Sequence, residues 1–128
     1  MDSGPIPEGL HSVTPYFTVQ DADRLIDFLT AAFDAEVIRS NRNEDGSIQH
    51  ARLLIGDSII MMNQATEAFA PNVSQMHLFV ANADEAYETA LMHGATSIME
   101  PNLGPHGDRM AGIEDPCGNL WWLATYKG

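Results

Sequence analysis

His50, His77 and Glu114 are the side chains of this sequence whose types could hold a divalent metal ion or move a proton. Two imidazoles and a carboxylate form a legitimate ligand set, and either histidine alone could serve as a general base. Nothing in their spacing makes the rings converge, and an inward histidine more often hydrogen-bonds a neighbour or a ligand. Cys117 takes the third position of Asp115-Pro116-Cys117-Gly118, a tight-turn signature with no base nearby in sequence. An exposed turn thiol is therefore expected there rather than a nucleophile. His106 falls in a loop between Pro105 and Gly107, and His11 and His93 read as superficial. Arg109 leaves two readings open: a guanidinium at the rim of a binding site that pairs with a ligand carboxylate, or an internal ion pair. There is no glycine-rich phosphate loop and no serine nucleophile elbow.

The elements that must position these groups come in two matching sets. Ala22, Leu25, Ile26, Leu29 and Phe33 follow helical spacing behind Asp21, a good N-cap. Ala83, Ala86, Tyr87 and Ala90 repeat the spacing behind Asn82, with Glu85 completing a capping box and Gly94 placed to end the helix. Subtracting 61 lays Val80, Asn82, Ala83 and Asp84 on Val19, Asp21, Ala22 and Asp23. Strand-like stretches, 13–19 and 74–80, precede the two helices. In the first copy, stretches 36–43 and 47–55 flank the hairpin signal Asp45-Gly46, and Gly56-Asp57 turns the chain into 58–63. In the second, 96–100 is a short strand, and 109–114 and 119–125 flank the Asp115–Gly118 turn. Each copy reads βαβββ, an internal duplication. A single domain over 1–128 is expected, with module 1 at about 12–63, a linker at 64–72, module 2 at about 73–126, and a mobile lead-in over 1–11.

Composition narrows the function classes. Eighteen acidic residues against six basic ones give a net charge of −12, the wrong sign for a phosphate-binding surface. Neither nucleic acid nor an anionic membrane is an expected partner. The acidity reads as a solvated, self-repelling surface, with attraction of a cationic ligand as the alternative. One cysteine excludes a disulfide framework or a multi-cysteine metal site. The sequence has no apolar run long enough to span a membrane and opens without a secretory pattern, so a cytoplasmic location is expected.

A duplicated βαβββ unit ending in Asp-Pro-x-Gly-Asn resembles the vicinal oxygen chelate superfamily of glyoxalase I, extradiol dioxygenases and bleomycin-resistance proteins, and within it the PhnB-like branch. The residues carrying the resemblance are Thr14-Pro15-Tyr16-Phe17-Thr18-Val19, Ile26-Asp27-Phe28 and Ala32-Phe33. His50-Ala51-Arg52-Leu53, Ile55-Gly56-Asp57-Ser58 and Gly107-Asp108-Arg109 follow. Asp115-Pro116-Cys117-Gly118-Asn119 closes the series, with Trp122, Ala124 and Thr125 behind it. The resemblance implies an α+β fold: two tandem βαβββ modules forming a cupped mixed sheet, with helices on the outer face. It also implies a homodimer, often with a cup shared or exchanged between chains.

Strand alternation within that architecture sorts the residues. Val13, Phe17, Val19, Ala51, Leu53, Ile55, Met76, Leu78 and Val80 are expected on the helix side. Thr14, Tyr16, His50, Arg52, Met61, Asn63, Gln75, His77, Phe79 and Trp122 are expected to line the cup, with Arg109 at its rim. The four metal positions of the superfamily fall on Thr14, Met61, Gln75 and Trp122. A thioether is soft, an indole is no ligand and a threonine hydroxyl is poor, which leaves Gln75. No metal and no other cofactor is expected. The mixture of aromatic and polar groups suits a small ligand, cationic or aromatic, that is bound or sequestered in the manner of the bleomycin-resistance branch. The alternatives are a metal-dependent lyase or dioxygenase with a non-standard ligand set, and a metal-free isomerase using His50 or His77.

Overall fold

The helix starts repeat group for group at the 61-residue interval. Asp21 caps helix α1 (Ala22–Phe33) by accepting from the Arg24 N–H at 3.1 Å, and Asn82 caps α2 (Ala83–Met92) by accepting from the Glu85 N–H at 3.0 Å. The first helical N–H of each is held from the end of a strand: Ala22 donates to Gln64 Oε1 at 2.9 Å, Ala83 to Thr125 Oγ1 at 2.8 Å. Gln64 and Thr125 are themselves 61 residues apart. The duplication therefore reaches the side chains that lock helix to sheet.

The computed structural model describes residues 4–127. Module 1 consists of β1 (Tyr16–Val19), α1, β2 (Glu36–Arg42), β3 (Ile48–Ile55) and β4 (Ser58–Gln64). Module 2 consists of β5 (Gln75–Phe79), α2, β6 (Thr96–Leu103), β7 (Arg109–Glu114) and β8 (Leu120–Thr125). The sheets have the orders β1-β4-β3-β2 and β5-β8-β7-β6. In each, the first strand runs parallel to the fourth and the remaining pairs are antiparallel. The α+β fold of two βαβββ modules is thus as expected. Two strand limits differ by three residues, the others by one at most. The first strand starts at Tyr16 rather than Val13, because Pro15 lends no N–H to a ladder and pairing begins with its carbonyl, which accepts from the Met61 N–H at 3.0 Å. Val13, expected on the helix side, is instead 85% exposed. The sixth strand extends to Leu103 through Pro101, which an edge strand tolerates.

Alternation sends Phe17, Val19, Ala51, Leu53, Ile55, Ile60 and Met62 from sheet 1 into a core that also takes Ala111, Ile113, Trp121 and Leu123 from sheet 2. Met76, Leu78 and Val80 pack partly buried against it. The two helices pack on each other, and the rings of Phe17 and Trp121 stack across the module junction at 5.9 Å with planes 4° apart. Phe33 closes on the same indole at 5.3 Å. The modules therefore stand back to back on a common core. Their opposite faces, the two half-cups, look away from that core.

Candidate functional site

The half-cup of module 1 is a grid set by register. Tyr16 stands beside Met61, Met61 opposite Arg52, and Arg52 opposite Arg39, so one row crosses all four strands. A second row holds Thr18 beside Asn63, and His50 opposite Asn41. The Thr18 hydroxyl donates to Asn63 Oδ1 at 2.8 Å, which leaves the Asn63 amide N–H₂ as a donor. The Tyr16 and His50 rings lie 6.0 Å apart. Tyr16 is 47% exposed, far more than a core aromatic would be.

The half-cup of module 2 is aromatic. Gln75, His77 and Phe79 stand beside Leu120, Trp122 and Ala124, and Gly112 and Glu114 of β7 lie opposite Trp122 and Leu120. Trp122 Nε1–H donates to Gln75 Oε1 at 2.6 Å. Its ring lies over Gly112, where an added Cβ would come within 2.6 Å of it. His77 and Phe79 pack with ring centroids 4.7 Å apart, and Phe79 is 61% exposed.

What aligns these strands is the turn between β7 and β8. The buried Asp115 carboxylate accepts from the Cys117 N–H at 2.8 Å, the Asn119 N–H at 3.0 Å, Asn119 Nδ2 at 3.0 Å and Trp121 Nε1 at 2.8 Å. Asn119 Oδ1 in turn accepts from the Ser74 N–H at 2.7 Å, which ties the start of β5 to β8. The Asp-Pro-Cys-Gly-Asn motif is a polar clasp. Cys117 is not an exposed turn residue: it is half-buried, and its thiol donates to the Asp21 carbonyl of module 1 at 3.4 Å. Burial is the main cause of a thiol pKa raised above its ordinary value.

Arg109 is a correction. It shares its face with the buried Ala111 and Ile113, the helix side rather than the cup rim. There its Nε and NH2 donate to both oxygens of Asp84 at 2.8 and 2.9 Å, so the internal ion pair is the arrangement found. Thr14 also stands apart, ahead of β1 and beside Leu10, His11 and Ile59. The remaining expected residues, Tyr16, His50, Arg52, Met61, Asn63, Gln75, His77, Phe79 and Trp122, fall on the half-cups. Arg39 and Gly112 were not anticipated. The bulge between Val37 and Arg39 hides the first from any alternation pattern. The second shows itself only through the ring lying upon it.

The residues at the superfamily metal positions do not form a ligand set. Thr14 lies off the strand, Met61 offers a thioether, Trp122 an indole N–H, and the Gln75 oxygen already accepts that N–H. His50 lies on the half-cup of module 1 and His77 on that of module 2. Among the described residues no three His, Cys, Asp or Glu side chains come together in a way that could hold an ion. The donor set does not fit a hard divalent metal. Among the same residues no helix is long and apolar enough to cross a membrane.

Comparison with known proteins places this geometry in a family. The chain is 30% identical over 123 residues to an uncharacterised protein of Mycobacterium bovis, covering 88% of this chain and 81% of that one. TioX from Micromonospora sp. ML1 shares the fold with a TM-score of 0.74 at 23% identity, over 92% of this chain and 98% of TioX. The fosfomycin resistance protein FosX from Mesorhizobium loti has a TM-score of 0.66 at 21% identity, over 95% of each chain. A PhnB protein from Bacillus cereus has a TM-score of 0.67 at 16% identity, over 91% of this chain and all of that one. Residues 9–123 match the Glyoxalase/Bleomycin resistance protein/Dioxygenase superfamily, and the chain belongs to it.

Proposed function

We propose that this protein binds a small, partly aromatic molecule without a metal. In this reading it works as a homodimer in which the module 1 half-cup of one copy and the module 2 half-cup of another close on the ligand. The observation that carries the reading is Trp122. Its indole lies against Gly112 and its N–H is bonded to Gln75, which makes it a stacking plate on the face opposite the core. Tyr16 and Met61 add apolar area, and Asn63, His50 and His77 add polar groups that can orient a ligand. Catalysis of the superfamily type would need an electrophile to stabilise an oxyanion, and the metal-ligand types are absent from the expected positions. Each face looks away from the core that the modules share, which is why a second copy is needed to close a cup.

The test is a thermal-shift screen of metabolites and antibiotics on chelator-treated protein. Stabilisation by an organic compound in chelator, lost in Trp122→Ala, supports the reading. Stabilisation that needs added divalent metal and disappears when His50 and His77 are both replaced overturns it. Sedimentation equilibrium that finds only the 14.0 kDa species at micromolar concentration would refute the shared cup.

A further inference from the structure

The basic residues of this chain are scarce, and two of them are placed against electrostatic expectation. Six Lys and Arg stand among eighteen acids. Arg42 and Arg109 are each held by a carboxylate, Asp23 and Asp84. Arg39 and Arg52 instead stand directly opposite each other across β2 and β3. Directly opposed residues share a face, and for Arg52 that face is the half-cup, because Ala51 and Leu53 on either side of it are fully buried in the core. Like charges in that position repel. Among the described residues neither makes an ion pair; Glu36, on the same face opposite Leu54, is not in ion-pair range of them. The Nε of Arg52 is also buried with no hydrogen-bond partner, so it has given up water and received nothing within the chain.

Arg24 and Lys127 also make no ion pair among the described residues, but only Arg39 and Arg52 oppose each other, and only Arg52 has a buried Nε without a partner. Resting on the reading of the half-cups as a binding surface, we propose that Arg39 and Arg52 clamp an oxyanion group, carboxylate or phosphonate, of the bound small molecule. Two planar guanidiniums facing across one ladder step offer paired N–H donors to a group with two or three acceptor oxygens. The body of the ligand would then lie along the same row, over Met61 and Tyr16. The net charge of −12 favours cations at long range, but at this spot the local sign is reversed. Of the ligand classes left open by the sequence, cationic or aromatic, this reading keeps the aromatic body and gives it an anionic group.

The experiment is an NMR titration of the full, chelator-treated chain, read at the Arg52 Nε–H and Trp122 Nε1–H resonances. The probes are inorganic phosphate, benzoate, phenylphosphonate, neutral benzyl alcohol and cationic benzylamine. The expected result is that the three anions shift Arg52 and the neutral and cationic probes do not. Benzoate and phenylphosphonate are expected to weaken about tenfold or more in Arg39→Gln and Arg52→Gln. Their relative affinity tells a carboxylate clamp from a phosphonate one. Without ligand both variants are expected to unfold at a higher temperature than the parent, with the gain shrinking as salt rises. If the neutral or cationic probes move Trp122 as well as the anions do and Arg52 stays still, the clamp is overturned while the binding surface stands. If Trp122 responds to no aromatic probe but phosphate moves Arg52, the binding surface fails and the anion site survives. If Arg52 shifts on Glu114→Gln in the absence of any probe, the counter-ion is a carboxylate of a second copy and the ligand clamp is overturned.

Discussion

The ring of Trp122 occupies the space that a side chain at Gly112 would need: a Cβ there would sit 2.6 Å from one ring carbon and 2.8 Å from another. The same indole is bonded through its N–H to Gln75, so a shift of the ring strains that bond. Gly112→Ala is therefore expected to cost about 1–3 kcal/mol, the usual range for overpacking. Loss of the Trp122–Gln75 hydrogen bond would appear as a shifted indole N–H resonance. Retention of the parent shift would show that the backbone of β7 gives way instead of the ring.

Asp115→Ala is expected to destabilise the fold by about 3–5 kcal/mol, because Trp121 Nε1 and Asn119 Nδ2 become buried donors without an acceptor. Asp115→Asn should rescue little: every partner of the carboxylate is a donor, and an amide presents N–H groups to some of them. Urea unfolding midpoints check both variants. A midpoint shift within error of the parent would show that the clasp is dispensable.

Cys117 should be a slow nucleophile. Burial raises its thiol pKa, with the carboxylates of Asp115 and Asp21 adding to the effect, so the reactive thiolate is scarcer at mildly alkaline pH than for an ordinary thiol. Its alkylation by iodoacetamide at about pH 8 is expected to run several-fold slower in the folded chain than in urea. Equal rates would show that the thiol is exposed.

Replacing Arg109 with alanine should leave ligand binding intact, since the guanidinium lies on the helix side against Asp84. The hydrogen bond from Arg109 is the largest cause that holds the Asp84 carboxyl below its ordinary value of 3.8. A carboxyl depressed in the folded state adds stability above its unfolded value, and that stability is lost as pH falls through the folded value. The parent and Arg109→Ala should therefore differ slightly at neutral pH and converge in strong acid, and salt should shrink the neutral difference because both side chains are exposed. A variant that loses ligand binding would return Arg109 to the site.

Much of the fold was legible because the same signals occur twice: an N-cap before each helix, a hairpin signature in each module and alternation along each strand. Arg109 was also legible, since strand parity puts it with Ala111 and Ile113 on the helix side. Arg39 was not, because a bulge resets parity between Val37 and Arg39. Nor was the back-to-back packing. Phe17 and Trp121 would be apolar and helix-facing whether the modules met through their helices or through their sheet edges. The packing of α1 on α2 and the stacked rings distinguish the two.

Alternation along the strands places one backbone thickness between the residues that hold the core and those that face outward. The inward counterparts at the 61-residue interval have stayed apolar: Phe17 and Leu78, Val19 and Val80, Met62 and Leu123. The outward ones have drifted apart, with Tyr16 against His77, Thr18 against Phe79 and Met61 against Trp122. Each half can therefore evolve a new recognition surface by surface-type substitutions, whose usual cost is within about 0.5 kcal/mol, while its twin and the shared interior are left alone. The internal repeat thus gives the chain two outward faces that can be altered separately on one shared interior.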